Sequence, residues 1–227
     1  MLKKLAISYE EIISVENLLD GWKEFLKGKR GKRDVQEFDL HLMDNVFDLH
    51  RDLQSLHYKH SEYKAFKIND PKPRDIHKAT VRDRLLHHAI YRKLYPFFDS
   101  TFISHSFSCR RRKGTHRACD CFSRMARKVS HNNTRTAWVL KCDIRKFFAS
   151  IDHRTLFVIL RKRIGDKKIL WLLYQVVSSF SSGKPEVGLS LGNLTSQLLV
   201  NIYMNEFDQF VKHGLKVKNY VRYADDF

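Results

Sequence analysis

The stretch Tyr223-Ala224-Asp225-Asp226-Phe227 places two adjacent carboxylates between aromatic residues. Aspartate is depleted in β-strands and neighbouring like charges repel, so the two acids fit a tight turn better than an extended strand. Such a turn is a natural seat for divalent cations, because these ions prefer hard oxygen ligands and cancel the repulsion. The alternative is a surface turn whose two acids are solvated. We expect residues 216–223 to form the strand that enters the turn.

The composition is that of a globular chain with a strong excess of positive charge. Of the 227 residues, 43% are hydrophobic, and 42 lysines and arginines against 25 acids give a formal charge of +17. Clustered cations on a phosphate backbone release counterions, so we expect a polyanionic partner, with nucleic acid before an anionic membrane. The sequence contains neither a signal peptide nor an apolar run near the roughly 20 residues of a spanning helix, which favours a cytoplasmic protein with no membrane partner. Four cysteines without disulfide-framework spacing agree with a reducing compartment.

The apolar periodicity predicts a mainly helical chain. Helical spacing, with capping and glycine or proline signals at the ends, predicts helices over residues 14–28, 34–58, 81–94, 115–130, 152–165, 166–180 and 193–212. Pro96 is expected to end the third helix, while Asp152 and Asp166 are expected to cap the fifth and sixth. The basic, proline-containing segment 59–80 predicts a loop beside a short strand.

The densest positive cluster consists of Arg110, Arg111, Arg112 and Lys113. An isolated cluster of this kind is usually a solvated loop. Here a predicted helix begins at Thr115, and the N–H groups and dipole of a helix N-terminus favour phosphate. Because the global charge points the same way, we interpret Arg111, Arg112 and Lys113 as contacts to nucleic acid.

Two separate strands are predicted to deliver carboxylates. Residues 137–143 alternate like a central strand that ends in Asp143, and the strand over residues 216–223 leads to Asp225 and Asp226. Carboxylates from two strands in a strongly basic protein are what two-metal phosphoryl transfer requires. A magnesium-dependent nuclease uses similar parts, so these residues alone leave synthesis and cleavage open.

Three motifs, in sequence order, resemble those of bacterial reverse transcriptases. Residues 140–153, LKCDIRKFFASIDH, look like the first catalytic motif of that family. Residues 188–197, GLSLGNLTSQ, continuing through residues 201–203, resemble the second, and Tyr223-Ala224-Asp225-Asp226 resembles the third. Residues 74–76, 83–84 and 106–110 are similar to the fingers blocks, so the resemblance covers about residues 72–227.

The resemblance implies a right-hand polymerase of mixed α/β (α+β) fold, with an antiparallel palm sheet backed by helices. It divides the chain into an N-terminal helical region at residues 1–70, fingers at residues 71–136 and a palm at residues 137–227. The palm would stop after the third catalytic motif, and the thumb would be absent. We therefore expect this chain alone to be inactive or poorly folded at its terminus.

The same resemblance implies a metal centre. Asp143 and Asp225, together with Asp226, would act as catalytic residues that bind two Mg²⁺ ions, for which Mn²⁺ could substitute. The carbonyl of Ile144 would complete one of the sites.

The resemblance also implies nucleotide-binding residues. The incoming triphosphate would meet Arg110 and, as a weaker candidate, Arg74. Phe148 would lie under the deoxyribose, where its ring excludes a 2′-hydroxyl. Gly192 and its neighbours would abut the nascent base pair, since glycine has no side chain to block a close approach.

One departure from the family pattern concerns base-pair selectivity. Most bacterial relatives have glutamine before the motif glycine and proline after the serine, whereas this chain has Leu191 and Gln197, which we include among the nucleotide-binding residues. Apolar Leu191 cannot make the hydrogen bond of a glutamine, so looser base-pair checking is physically reasonable. The variant looks like the reverse transcriptases of diversity-generating retroelements, whose selectivity opposite template adenines is relaxed. Related unassigned reverse transcriptases and phage-defence reverse transcriptases are the alternatives.

The function implied is RNA-templated DNA synthesis. Its partners would be an RNA template, a DNA or RNA primer, dNTPs and an accessory protein of the retroelement. A non-catalytic basic RNA-binding or maturation module that retains the polymerase fold is the alternative from another class of function.

Overall fold

Helices dominate the structure, a computed structural model that describes residues 3–69 and 73–227. The elements are α1 Tyr9–Ile13, α2 Val15–Phe25, α3 Arg33–Leu40, α4 Leu42–Gln54, β1 Lys64–Asn69, β2 Pro73–Lys78, α5 Val81–Asp99, α6 Thr115–Val129, α7 His153–Arg161, α8 Lys167–Ser178 and α9 Leu194–Gln209. A 3₁₀ turn over Phe147–Ser150 precedes α7, and a π-helical turn over Phe210–Gly214 follows α9. The predicted mixed class is therefore confirmed as many helices with one small sheet.

The chain divides into two compact units that each use two segments. The first unit consists of Met1–Phe97 and Phe148–Ser196, and the second consists of Phe98–Phe147 and Gln197–Phe227. In the part of the chain that the structure describes, no helix combines the length and the apolar character needed to cross a lipid bilayer.

The core of the first unit forms where α2 and α5 approach closely. Gly21 permits this approach, since a Cβ there would lie 3.1 Å from the backbone nitrogen of Ala89. The residues that fill this core are Leu18, Trp22 and Phe25 of α2, Val46, Leu49 and Leu53 of α4, and Leu85, Leu86 and Ile90 of α5. The predicted helix over residues 14–28 is confirmed as α2, and Ser14 caps it by accepting a hydrogen bond from the backbone of Asn17 at 3.2 Å.

The helix predicted over residues 34–58 is wrong in its continuity, because α3 and α4 are separate helices. They meet at His41, whose φ of −121° and ψ of 35° leave the helical region. At this break the carbonyl of Phe38 accepts from the backbone nitrogen of His41 at 3.3 Å and from the side chain of Asn45 at 3.0 Å. The apolar residues of α3 and α4 follow one continuous helical spacing, so the sequence pattern does not indicate the break.

The prediction that Pro96 ends its helix is also wrong, because α5 continues to Asp99. Proline removes one backbone donor, which would otherwise serve the carbonyl of Arg92. In the final turn the loss is confined to that bond, and Phe98 remains buried at 1% exposure. Burial of Phe98 therefore outweighs the local helix-breaking signal of Pro96.

The short strand expected within residues 59–80 is confirmed as part of an antiparallel hairpin. The register of β1 and β2 runs from Lys64 opposite Lys78 to Asn69 opposite Pro73. All residues of β1 are exposed, so the hairpin presents much of its surface to solvent. Residues 70–72 of the predicted loop lie outside the described residues.

The strands predicted over residues 137–143 and 216–223 are not formed. In residues 3–69 and 73–227 the hairpin is the only sheet, so the expected antiparallel palm sheet is absent there. A strand needs a continuous hydrogen-bonded ladder, whereas pairing in these segments is limited to isolated positions. Trp138 and Leu140, which alternation placed in a central strand, are 93% and 85% exposed.

Asp152 and Asp166 cap α7 and α8, as the sequence predicted. Asp152 accepts from the backbone nitrogen of Thr155 at 2.7 Å, and Asp166 accepts from that of Lys168 at 2.8 Å. The second oxygen of Asp166 accepts from the backbone nitrogen of Tyr9 at 3.0 Å. Asp166 therefore also ties the start of α1 to α8.

Replacement of Asp166 by alanine is expected to lower the free energy of unfolding by about 1–2 kcal/mol, because a helix cap and the bond to Tyr9 are both lost. Asp152→Ala removes a cap alone and should cost less, about 1 kcal/mol at most. Urea denaturation followed by circular dichroism measures both losses. Equal losses for the two variants would contradict the added role of Asp166.

Candidate active site

The two adjacent acids lie in a tight turn, which confirms the prediction for this stretch. The backbone nitrogen of Tyr223 donates to the carbonyl of Asp226 at 2.8 Å, and the reverse bond is 3.1 Å long. Ala224, at the centre of the turn, has a φ of 57°, in the left-handed region that side chains disfavour. Backbone strain of this kind persists only where the surroundings hold it, and it is common at functional sites.

A backbone pair brings the segment of Asp143 alongside this turn. Cys142 and Phe227 exchange both hydrogen bonds, with N···O distances of 2.7 and 3.0 Å. In such an antiparallel pair the next opposed positions are Asp143 and Asp226, and opposed side chains share one face. The structure therefore brings together the two carboxylate segments that the sequence predicted to meet.

A lysine lies against this negative charge. Lys141 Nζ is 3.5 Å from Asp226 Oδ1, and both side chains are more than half exposed. An exposed pair of this kind contributes little to stability. A cation that binds Asp226 therefore has only a weak competitor to displace.

The donor chemistry at the turn suits Mg²⁺, although the side chains are not gathered into a complete ligand set. Asp143, Asp225 and Asp226 offer carboxylate oxygens, and Ile144 offers a backbone carbonyl directly after Asp143. Among the described residues, no three His, Cys, Asp or Glu side chains form a group that could hold an ion. Magnesium is commonly held by one or two carboxylates together with water and substrate phosphates, so the residues fit the ion in type.

Arg222, directly before the turn, belongs to a fully buried ion pair that the sequence patterns do not predict. Arg222 and Asp208 are both 0% exposed, and the guanidinium donates to both carboxylate oxygens at 2.8 Å. The hydroxyl of Tyr220 donates to the same carboxylate at 2.8 Å. Burial, followed by the charge of Asp208, raises the pKa of Tyr220, so its hydroxyl stays protonated.

The remaining donors of Arg222 reach the turn and α9. Nη1 donates to the carbonyl of Ala224 at 2.9 Å and to Asn201 Oδ1 at 3.3 Å. Nη2 donates to Ser106 Oγ at 3.0 Å. Arg222 therefore ties the centre of the turn to α9. The available signal was the pair of polar residues on the buried face of α9, Asn201 and Asp208, because buried charges are almost always paired.

The guanidinium of Arg110 is hydrogen-bonded to residues of its own loop. Its Nε donates to Asp99 Oδ1 at 2.7 Å, and Nη1 donates to the carbonyls of Ile103 and Ser106 at 2.7 and 2.9 Å. The guanidinium also lies 5.3 Å from the ring centroid of Phe102. These bonds stabilise the loop between α5 and α6. The triphosphate contact expected of Arg110 stays a prediction, and it requires some of these bonds to exchange.

Arg111 and Arg112 are the exposed cations of the basic cluster. Lys113 is partly buried, because Nζ donates to the carbonyl of Ser104 at 2.6 Å and lies 5.0 Å from the ring centroid of Phe107. This burial lowers the pKa of Lys113. The two arginines are therefore more accessible to a nucleic acid than Lys113.

Leu191 and Gly192 belong to the first unit and form a turn near the end of the loop between α8 and α9, which we call the Leu191-Gly192 tip. The carbonyl of Leu191 accepts from the backbone nitrogen of His77 in β2 at 3.2 Å. Gly192 has a φ of 116°, and a Cβ there would lie 3.3 Å from Ile76 Cγ2. Glycine is therefore favoured at this position by both backbone conformation and space.

The other predicted nucleotide-binding residues are distributed over both units. Phe148, in the first unit, is partly buried, and its carbonyl accepts from the backbone nitrogen of Leu189 at 2.8 Å. Arg74, also in the first unit, lies on β2 opposite Ile68. Gln197 belongs to the second unit and is partly buried in α9.

Comparison with known proteins identifies a matching family and individual relatives. The profile of the family "Reverse transcriptase (RNA-dependent DNA polymerase)" matches residues 65–227. The chain is 28% identical over 173 residues to Protein YkfC of Escherichia coli (strain K12). The aligned residues cover 72% of this chain and 44% of that protein. It is 30% identical over 159 residues to the group II intron-encoded protein LtrA of Lactococcus lactis subsp. cremoris. That alignment covers 67% of this chain and 25% of that protein. The chain thus spans less than half the length of these relatives.

A solved structure shares the fold. A chain of the partial Cas6-RT-Cas1--Cas2 complex matches with a TM-score of 0.56 and 18% identity, over 98% of this chain and 38% of that chain. At this identity the likeness shows the fold alone. The segments of Asp143 and of Asp225-Asp226 both lie inside the residues that the family profile matches. The resemblance noted in the sequence is thereby confirmed, and the chain belongs to the reverse transcriptase (RNA-dependent DNA polymerase) family.

Proposed function

We propose that this chain contains the catalytic centre of an enzyme that synthesises DNA on an RNA template by nucleotidyl transfer. The observation that carries the proposal is the backbone pair between Cys142 and Phe227, which brings the segment of Asp143 alongside the tight turn of Asp225 and Asp226. These residues lie in the part of the chain that belongs to the family. The charge of +17 supports a polyanionic template and primer as partners.

Asp143, Asp225 and Asp226 would hold two Mg²⁺ ions, with the carbonyl of Ile144 as a further ligand and Mn²⁺ as a substitute. When bound, such ions activate the primer 3′-hydroxyl and stabilise the leaving pyrophosphate. The chain itself supplies the positioning. The tight turn fixes the two adjacent carboxylates, and the backbone pair beside it fixes the segment of Asp143.

Other residues would recognise the incoming nucleotide. Phe148 would lie under the deoxyribose and exclude a 2′-hydroxyl by its ring. Arg110 and Arg74 would contact the triphosphate, and Arg110 would do so by exchanging bonds within its own loop. Gly192 would abut the nascent base pair, in keeping with its exposed position and the lack of a side chain.

Leu191 and Gln197 suggest a subclass. An apolar Leu191 beside the base pair would check it by shape alone, so we propose error-prone synthesis of the kind associated with diversity-generating retroelements. The substrates would be an RNA template, a DNA or RNA primer and dNTPs in the cytoplasm, with an accessory protein of the retroelement as partner. Residues 71–136 would serve as fingers and residues 137–227 as palm, after the helical region of residues 1–70.

Primer extension tests the proposal. The full-length natural protein is incubated with a primed RNA template, four dNTPs and Mg²⁺, with and without a chelator. Elongation that stops when the metal is removed is the expected result. Shortening of the nucleic acid without elongation would overturn the proposal in favour of a nuclease. Tight RNA binding without incorporation and without dependence on Mg²⁺ would overturn it in favour of a non-catalytic RNA-binding or maturation module.

A double variant Arg111→Ala/Arg112→Ala is expected to bind RNA more weakly. The slope of log K against log salt concentration should become shallower by about 1.5 to 2, because two phosphate contacts are lost. Fluorescence anisotropy of a labelled RNA, measured over a range of salt concentrations, gives this slope. Lys23→Ala/Arg33→Ala removes the same charge from exposed helix positions of the first unit and is the matched control. An equal change in slope for the control would refute a specific role of the cluster.

A further inference from the structure

Tyr63 precedes the family-matched residues, yet its side chain reaches the loop that carries the nucleotide-binding tip. The family match begins at residue 65. The Tyr63 hydroxyl accepts from Asn193 Nδ2 at 3.0 Å and from Ser190 Oγ at 3.4 Å. Both partners are buried and flank the tip residues 191 and 192. A side chain from outside the family-matched part therefore holds a loop inside it.

Tyr63 also contacts His60 and the first residues after α8. Its hydroxyl lies 3.0 Å from Ser179 Oγ, just after α8, and 3.3 Å from His60 Nε2. Its ring stacks on His60 at a centroid distance of 4.8 Å and meets the edge of Phe180 at 6.0 Å. Burial raises the pKa of Tyr63, so the hydroxyl stays protonated and can donate one hydrogen bond while it accepts others. These contacts restrict the side chain to one position.

The loop is also closed on itself and anchored on its other flank. Asn193 Nδ2 donates to Ser190 Oγ at 2.6 Å, so the two partners of Tyr63 are bonded to each other. On the opposite flank, the carbonyl of Leu191 accepts from His77 in β2 at 3.2 Å. The exposed Gly192 therefore sits between two anchors, and Tyr63 is the anchor that a single substitution can remove without altering the loop sequence.

We propose that Tyr63 is a positioning residue that sets base-pair selectivity through the Leu191-Gly192 tip. This inference rests on the proposed function. Leu191 offers no hydrogen bond to a base pair, so discrimination at the tip depends on the position of apolar atoms and of the Gly192 backbone. Selection by shape is sensitive to small displacements of the contacting groups. Loss of the Tyr63 hydroxyl would let the tip move and would admit mismatched pairs more readily.

Tyr63→Phe tests the inference, because it removes the hydroxyl and keeps the ring. In the full-length natural protein, kcat/KM is measured for a matched and a mismatched dNTP opposite the same template base. The ratio of matched to mismatched values is expected to fall about threefold to tenfold, the effect of one lost hydrogen bond. This ratio does not depend on the fraction of folded protein, so a loss of stability alone leaves it unchanged.

Tyr58→Phe is the matched control. The Tyr58 hydroxyl is also buried, but it donates to Asp83 Oδ1 at 2.7 Å rather than to the loop. Amide hydrogen exchange over residues 188–193 gives a second readout that needs no catalysis, and it should be faster in Tyr63→Phe than in Tyr58→Phe. An unchanged ratio in an active Tyr63→Phe protein, or an equal change in the control, would overturn the role of Tyr63. Failure of the wild-type protein to make DNA would instead overturn the proposed function.

Discussion

An Asp225→Asn protein is expected to keep its fold and to lose RNA-templated synthesis by at least about 100-fold. Asparagine retains the size of aspartate and one carbonyl oxygen, but it lacks the charge with which a carboxylate binds a divalent cation. The substitution also relieves like-charge repulsion with Asp226 in the same turn, so Tm should stay equal or rise slightly. Single-turnover primer extension measures the loss, and thermal denaturation confirms the fold.

Asp120→Asn is the control for this change. Asp120 lies on the exposed surface of α6, and its substitution alters charge and size in the same way. Synthesis by the control should stay within about twofold of wild type, as for most surface changes. Asp143→Asn should match Asp225→Asn, since the backbone pair of Cys142 and Phe227 brings the segment of Asp143 alongside the turn. Wild-type synthesis by Asp225→Asn would show that the turn is not the reaction centre.

Arg222→Met is expected to lower the free energy of unfolding by about 3–5 kcal/mol. The substitution leaves the carboxylate of Asp208 fully buried without its cation. It also removes the bonds to Ala224 and Asn201 that hold the turn against α9. Guanidinium chloride denaturation followed by fluorescence measures the loss.

Two further variants separate the buried charge from the loss of a long side chain. Arg222→Met/Asp208→Leu removes both charges and should recover much of the stability, because no uncompensated charge remains. Arg154→Met breaks an exposed ion pair in which Arg154 Nε lies 2.9 Å from Glu186 Oε2. This variant should lower the free energy of unfolding by less than about 1 kcal/mol. If Arg222→Met were as stable as Arg154→Met, the buried pair could not be a major determinant of stability.

Local signals predicted most of the helices and the caps of α7 and α8, but not α1. The apolar spacing of α2, α7 and α8 and the cap residues of α7 and α8 act over a few positions, so the sequence contains these signals directly. The break at His41 and the continuation past Pro96 were not predicted. The continuation past Pro96 keeps Phe98 buried, and burial depends on residues that lie far away in the sequence.

The strand predictions for residues 137–143 and 216–223 failed for a related reason. The alternation of apolar and polar residues over 137–143 and 216–223 is typical of a strand. A strand forms, however, only where a partner backbone completes the hydrogen-bonded ladder. The turn at Asp225 and Asp226 was predicted because the preference of aspartate for turns is local. The same distinction therefore explains both the correct turn and the incorrect strands that were expected to lead to it.

The candidate site was predictable where motif order sufficed. Asp143 and the Asp225-Asp226 turn were paired by the order of their motifs, and the structure places their segments side by side. Arg222 and Asp208 are 14 positions apart, and Tyr63 and Ser190 are 127 apart. No local pattern joins such residues, so a sequence can show that a buried charge needs a partner without showing which partner it finds.

The alternation of the two units along the chain has a consequence for synthesis on the ribosome. The first unit uses Met1–Phe97 and Phe148–Ser196, so much of the second unit is translated before the first has all its residues. Contacts such as that between Tyr9 and Asp166, 157 positions apart, can form only late, and long-range closure of this kind slows folding. Neither unit can be expressed as one continuous fragment, and a nascent chain exposes part of the apolar surface of the first unit until Ser196 has emerged.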